Sequence, residues 1–144
     1  MREAIKFHGH LGPYLVLGLL AGETALKKIK CKKYFGLDVK VWGAKEKPKS
    51  CLIDGLQLSS GATYGKGNIK KLNGPAIKIE FSHREKRARL NLKLSDKLIK
   101  KLQQAKTHQQ SELLAEELYR ANFKELFSLQ LKTYLPAGRQ ATGD

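Results

Sequence analysis

The sequence predicts an α+β fold: a small mixed or antiparallel sheet packed with an N-terminal helix, a short second helix and C-terminal helices. Three patterns predict it. Apolar residues recur at helical spacing from Pro13 to about Lys30, they alternate over Leu37–Gly43 and again from Ile77 to Leu92, and helical spacing returns after Ser95.

Pro13 suits the first turn of the first helix, where its missing N–H has no partner to lose. Leu15, Leu19, Leu26 and Ile29 mark its apolar face. Gly18, Ala21, Gly22 and Ala25 form a stripe of small residues where another backbone can come close. Lys27, Lys28 and Lys30 fall in the last turn, where cations complement the dipole. Val39 and Val41 alternate with Asp38 and Lys40, which predicts a half-buried strand. A charged connector around Pro48 follows, and Ser50 is placed to cap a short helix running to about Leu58. The stretch from Gly61 to Gly74 holds four glycines and is expected to be a loop. Ile77, Ile79 and Phe81, then Ala88, Leu90 and Leu92, flank a turn at Ser82–Glu85 and predict a β-hairpin. Ser95 caps a helix carrying Leu98, Ile99 and Leu102. A further helical pattern begins near Ser111, with Leu114, Leu118, Phe123 and Leu126.

With 144 residues, the chain is sized for one domain, expected over residues 1–134, with a tail from 135 that lacks apolar periodicity and is expected to be disordered. Lys and Arg number 28 against 13 Asp and Glu, so the net charge is +15. Residues 1–100 carry 22 of the basic and 8 of the acidic groups, which places the basic surface in the front of the chain. Such a field concentrates anions of any kind. Two cysteines cannot build a disulfide framework, and no leader-like or membrane-spanning segment is evident, which predicts a reducing, cytoplasmic setting.

Four segments concentrate polar groups among apolar neighbours. In Phe7-His8-Gly9-His10-Leu11-Gly12-Pro13, Gly9 lets the chain bend so that both imidazoles reach one ion. In Cys51-Leu52-Ile53-Asp54, a thiol at a helix N-terminus is expected to have a lowered pKa. His8, His10 and Cys51 together make the three-ligand count of an open zinc site, and these borderline-soft donors suit zinc over magnesium or calcium. Asp54, one turn beyond Cys51, can orient a ligand through a hydrogen bond. The plainer reading makes Cys51 a buried apolar residue and the histidines a surface pair.

The glycine-rich run Gly61-Ala62-Thr63-Tyr64-Gly65-Lys66-Gly67-Asn68 is one residue too short for a nucleoside-triphosphate loop and has Gly67 where that motif has a hydroxyl. It can still form an anion-binding nest with Thr63, Lys66 and Asn68, beside the metal and facing a small anionic or carbonyl ligand. Arg84, Lys86, Arg87 and Arg89 on the hairpin read as a solvated basic face without interleaved aromatics. His83, His108 and Cys31 read as spectators, and Trp42 as core or rim.

Together, the His-Gly-His segment with Gly18–Gly22, the Cys51–Gln57 segment and the Gly61–Asn68 segment resemble the N-terminal domain of the formylmethanofuran dehydrogenase E-subunit family, over about residues 4–95. The resemblance implies an α+β domain that binds a transition metal, most often zinc, through His8, His10 and Cys51. Family members often carry cysteine where this chain has Gly12 and Ala62, and many append a four-cysteine zinc ribbon for which this chain has no cysteines. It further implies an accessory or small-molecule-handling protein of one-carbon or molybdopterin-linked metabolism, a subunit of or accessory to an oxidoreductase in a larger enzyme complex. The alternative from a different class is a basic nucleic-acid-binding module in which the His/Cys cluster is structural. The excess of apolar positions from Leu113 to Leu131, read as one long helix, predicts a two-fold homodimer.

Overall fold

The computed structural model describes residues 1–133, so the tail expected to be disordered lies outside the described residues, as does residue 134 at the expected end of the domain. Chain order is α1 (Arg2–His8), α2 (Pro13–Ile29), β1 (Leu37–Trp42), α3 (Cys51–Ser60), β2 (Ile69–Leu72), β3 (Lys78–His83), β4 (Ala88–Leu94), α4 (Asp96–Gln104), α5 (His108–Arg120), α6 (Phe123–Leu126) and β5 (Phe127–Thr133). The strands form one sheet in the order β2-β1-β3-β4-β5. β1 and β2 pair in parallel and the other neighbours are antiparallel, so the fold is α+β with the mixed form of the sheet.

Strand alternation decides which face of the sheet is covered. Val39, Ile69, Phe81 and Leu90 align across four strands and are all buried, joined in one core with Leu17 and Ala21 of α2, Leu52 and Leu56 of α3, and Leu114 and Leu118 of α5. The intervening residues, such as Lys40, Lys70 and Arg89, face away from that core and are exposed.

The small-residue stripe of α2 meets α3 at backbone distance. A Cβ built on Gly18 would lie 2.2 Å from the carbonyl oxygen of Leu52, and one on Gly55 would lie 2.2 Å from that of Leu15. The Ser59 hydroxyl sits 2.8 Å from the Gly55 carbonyl and 3.0 Å from that of Gly18, so it donates to one or the other across the crossing. Contacts step from Gly18 against Gly55 to Gly22 against Ser59, so the two helices run in the same direction. Their N-termini therefore share one end of the molecule and their C-termini the other.

Several elements depart from the expectation. α1 precedes the His-Gly-His segment, and Gly9, at φ 102°, ends it by donating to the carbonyl of Ile5. Ser50 precedes α3 without a side-chain cap, because residues 46–53 already form a run of turns whose amides bond to carbonyls three or four residues back. β2 emerges from the glycine-rich stretch, where only Ile69 signals burial. The long helix expected from Ser111 breaks at Arg120, and Phe127–Leu131 belong to a strand paired with β4. The C-terminal apolar residues thus divide between two faces of α5 and an edge strand. Ser95 does cap α4, accepting from Leu98 N at 3.1 Å.

Gly55→Ala is expected to lower stability by at least about 2 kcal/mol, because the new methyl meets a backbone carbonyl that cannot turn aside. Gly65→Ala, whose Cβ has only Thr63 Oγ1 nearby at 3.9 Å, should change stability by less than about 0.5 kcal/mol. Urea denaturation of the two variants measures the contrast, and equal midpoints would contradict the close crossing.

Candidate functional site

Because α2 and α3 run together, the segment entering α2 and the first turn of α3 lie side by side, and α5 adds a third N-terminus. Pro13, Cys51 and His108, which open these three helices, line one cavity of about 180 Å³. His10, Gly12, Tyr14 and Ser111 also face it, while Leu11, Pro48, Leu102 and Ala105 supply apolar wall.

His8 stands at the end of α1, with its ring against α3. Its Nδ1 lies 2.6 Å from Oδ2 of Asp54. A carboxylate only accepts, so Nδ1 is the nitrogen that donates, and in the neutral ring Nε2 bears the lone pair. His8 Nε2 is buried and has no hydrogen-bond partner within the protein. The His8 and His10 ring centroids are 4.6 Å apart, and those of His10 and His108 are 6.3 Å apart. At Gly12 an added Cβ would stand 3.4 Å from His10 Nε2, so the glycine leaves the edge of that imidazole open to the cavity.

His8, His10, Cys51 and Asp54 are thus neighbours. Asp54 is hydrogen-bonded to His8, and His10 shares the cavity with Cys51. Among the described residues, no three His, Cys, Asp or Glu side chains are already gathered as a ligand set. His108, read from sequence as a spectator, faces the cavity. Thr107-x-x-Gln110 is a capping box, in which Gln110 N donates to Thr107 Oγ1 at 3.1 Å and Thr107 N donates to Gln110 Oε1 at 3.1 Å. That signature starts α5 at His108 and was the available signal for its position.

Thr63, Lys66 and Asn68 do not line this cavity. They follow the C-terminus of α3, about 15 Å of helix from Cys51. Their polar groups are used within the loop: Asn68 Oδ1 accepts from Thr63 N at 2.8 Å, Thr63 Oγ1 accepts from Lys66 N at 3.2 Å, and the Lys66 ammonium donates to the carbonyls of Gly61 and Tyr34.

Burial, and next the charges of His8 and His108, lower the pKa of His10, with Glu112 opposing. The imidazole of His10 is therefore neutral at pH 7 and keeps a lone pair for a ligand bond. The Cys51 thiol moves the other way from the expectation. Burial raises its pKa, Asp54 raises it further, and Lys47 and the local backbone only partly offset this. With burial and Asp54 outweighing Lys47, Cys51 is a protonated thiol at neutral pH. Burial likewise raises the pKa of Tyr14.

In metal-free protein with a Cys31→Ser background, the rate of Cys51 alkylation should rise with pH through a midpoint above that of an unhindered cysteine, since the thiolate is the reactive form. A midpoint below it would restore the expected activation by the helix N-terminus.

Among the described residues, no helix is long and apolar enough to cross a membrane. No curated protein matched the sequence. Among solved structures, the chain is similar to a tungsten formylmethanofuran dehydrogenase E-subunit (FmdE)-like protein from Syntrophus aciditrophicus, with 19% identity, a TM-score of 0.60, and coverage of 99% of this chain and 76% of that one. At that identity the likeness establishes the fold. The sequence profile described as FmdE, molybdenum formylmethanofuran dehydrogenase operon, matches residues 7–135, which include the His-Gly-His segment, Cys51 and the glycine-rich loop, and with that span of agreement the chain belongs to the FmdE family.

Proposed function

We propose that this protein is a transition-metal-binding accessory of a formylmethanofuran dehydrogenase-type oxidoreductase complex, with zinc held by His8, His10 and Cys51. The observation that carries the reading is His8 Nε2, buried and unpartnered while Nδ1 is fixed by Asp54. An orphaned buried acceptor costs about 1–3 kcal/mol, and a carboxylate–histidine pair is the usual support behind a metal-bound imidazole. The neutral His10 and the soft Cys51 sulfur, facing one cavity, complete a borderline-soft donor set that suits zinc. Closing these neighbours around an ion requires rotation of the His10 and Cys51 side chains and loss of the Cys51 proton.

A bound zinc would supply Lewis acidity toward a carbonyl or carboxylate oxygen. The protein's own contribution is placement. Apolar groups from the α2 entry and the α4–α5 joint wall one side of the cavity, and the amides opening α2 and α5 favour the negative end of a guest. The cavity has room for about six waters' worth of volume, so its ligand is a small anionic or carbonyl compound.

We place a second copy of the chain over the outer strand β5, where Leu129 and Leu131 are 38% and 39% exposed at the sheet edge.

Elemental analysis of protein purified without a histidine tag or added metal is expected to give one zinc per chain. His10→Ala and Cys51→Ser should abolish that stoichiometry, while Asp54→Asn should weaken zinc binding by about 10–100-fold without removing a ligand. Full zinc content in both ligand variants would refute the site. For the assembly, light scattering should return twice the 16.2 kDa chain mass, and a single-chain mass that does not change on dilution would exclude the dimer.

A further inference from the structure

At the other end of α2, the chain turns through Tyr34 at φ 90°, a left-handed conformation that a tyrosine rarely adopts. Three contacts hold it there. Tyr34 N donates to the Ser60 carbonyl at 3.1 Å, the Tyr34 carbonyl accepts from Lys66 Nζ at 2.7 Å, and Gly61 lets the loop approach so closely that a Cβ would stand 2.6 Å from Tyr34 Cα. The glycine-rich loop is therefore a clamp on this turn. The clamped turn carries Phe35, 85% exposed, with the Lys66 ammonium 4.7 Å from its ring centroid. Holding a large apolar ring in water on a strained backbone has no packing benefit, and strain of this kind collects at binding sites.

Phe35 lines a groove of about 560 Å³ together with Lys32, Lys86 and Arg84, and Asp38 of β1 continues that groove onto the face of the sheet turned away from the core. Strand register assembles this face from residues far apart in sequence. Lys70 lies beside Lys40, Lys78 beside Lys93, and Arg89 beside Lys132. Neighbouring strands are about 4.8 Å apart, so each pair sets two cations side by side, one pair in each of three rows of the face. The acids of the face, Asp38 and Glu80, are already engaged by Arg84 at 2.7 Å and Arg89 at 3.9 Å. Lys78 lies over the ring of Trp42, 5.0 Å from its centroid, and keeps a second aromatic on the same surface. Among the described residues, nothing covers this face.

We propose that the open face of the sheet and the Phe35 groove bind single-stranded nucleic acid, the cations following phosphates and Phe35 stacking on a base. The charge of the face calls for a polyanion, and the exposed ring beside it distinguishes a strand with unstacked bases from a duplex or an acidic protein. The Phe35 groove lies at the opposite end of α2 from the cavity, and the surface does not depend on a metal.

The test is fluorescence anisotropy of the full chain with labelled RNA and DNA single strands of about twelve nucleotides, a length suited to such platforms. A duplex of equal length and poly-glutamate serve as competitors. Single-strand affinity should fall steeply between about 50 and 200 mM salt. Lys40→Glu with Lys70→Glu should reduce both the affinity and the salt dependence. Phe35→Ala should weaken single-strand binding by about tenfold or more, the loss of one stacked base, while leaving the salt dependence unchanged. Because all three side chains are exposed, these variants are expected to fold. Absence of binding at low salt overturns the proposal. So does equal affinity for single strand and duplex with no effect of Phe35→Ala, which would make the face a plain ion exchanger, and so does preferential capture of poly-glutamate, which would indicate an acidic protein partner.

Discussion

The backbone-to-backbone crossing of α2 and α3 at Gly18 and Gly55 is the constraint on which the rest of the structure depends. With any larger residue at either position, a side chain would meet a carbonyl at 2.2 Å and the helices would have to separate. At this separation two consequences follow together. The parallel direction of the helices brings the His-Gly-His segment to the first turn of α3, which allows Asp54 to reach His8. The same direction brings the C-terminus of α3 to the turn after α2, which allows Gly61 and Lys66 to hold Tyr34. One packing choice therefore serves two ends of the molecule, separated by about 25 Å of helix.

Electrostatics at the cavity end show how competing effects are decided. A helix N-terminus favours a thiolate by about 0.3–1 kcal/mol at an exposed position. Cys51 is half-buried and has a carboxylate one turn away, and these raise its pKa despite the dipole. Asp54 is thus double-edged, because it holds the His8 ring in place and opposes ionisation of the neighbouring thiol. The zinc proposed above would resolve that conflict, since a divalent charge beside Cys51 would stabilise the thiolate.

The parts of the fold legible in the sequence were those governed by local period. α2, β1, the β3–β4 hairpin and the cap of α4 all follow from spacing or from one side chain bonding to a nearby amide. What local period could not reveal was set by distant partners. β2 shows only Ile69 as a buried residue and exists because β1 offers it an edge. Phe127–Leu131 carry apolar residues at spacings that also suit a helix, and pairing with β4 makes them a strand. The candidate site divides the same way. His8, His10, Cys51 and Asp54 were legible because their segments adjoin helix starts, whereas His108 reaches the cavity only through the packing of α5 on α2.

The glycine-rich loop illustrates how a motif can be read correctly as special and still be given the wrong task. Its glycines, lysine and asparagine suggested a cradle for an anion, because amides and an ammonium are what an anion requires. In the folded chain the Lys66 ammonium is already occupied by the carbonyls of Gly61 and Tyr34, and Asn68 by Thr63 N. Carbonyl oxygens carry partial negative charge, so a backbone turned into an unfavourable conformation can satisfy the same donors as a ligand would. The chemistry inferred from the residue types was sound. Its object is a strained segment of the chain itself, and the consequence passes to Phe35, which that segment holds in solvent beside the basic groove.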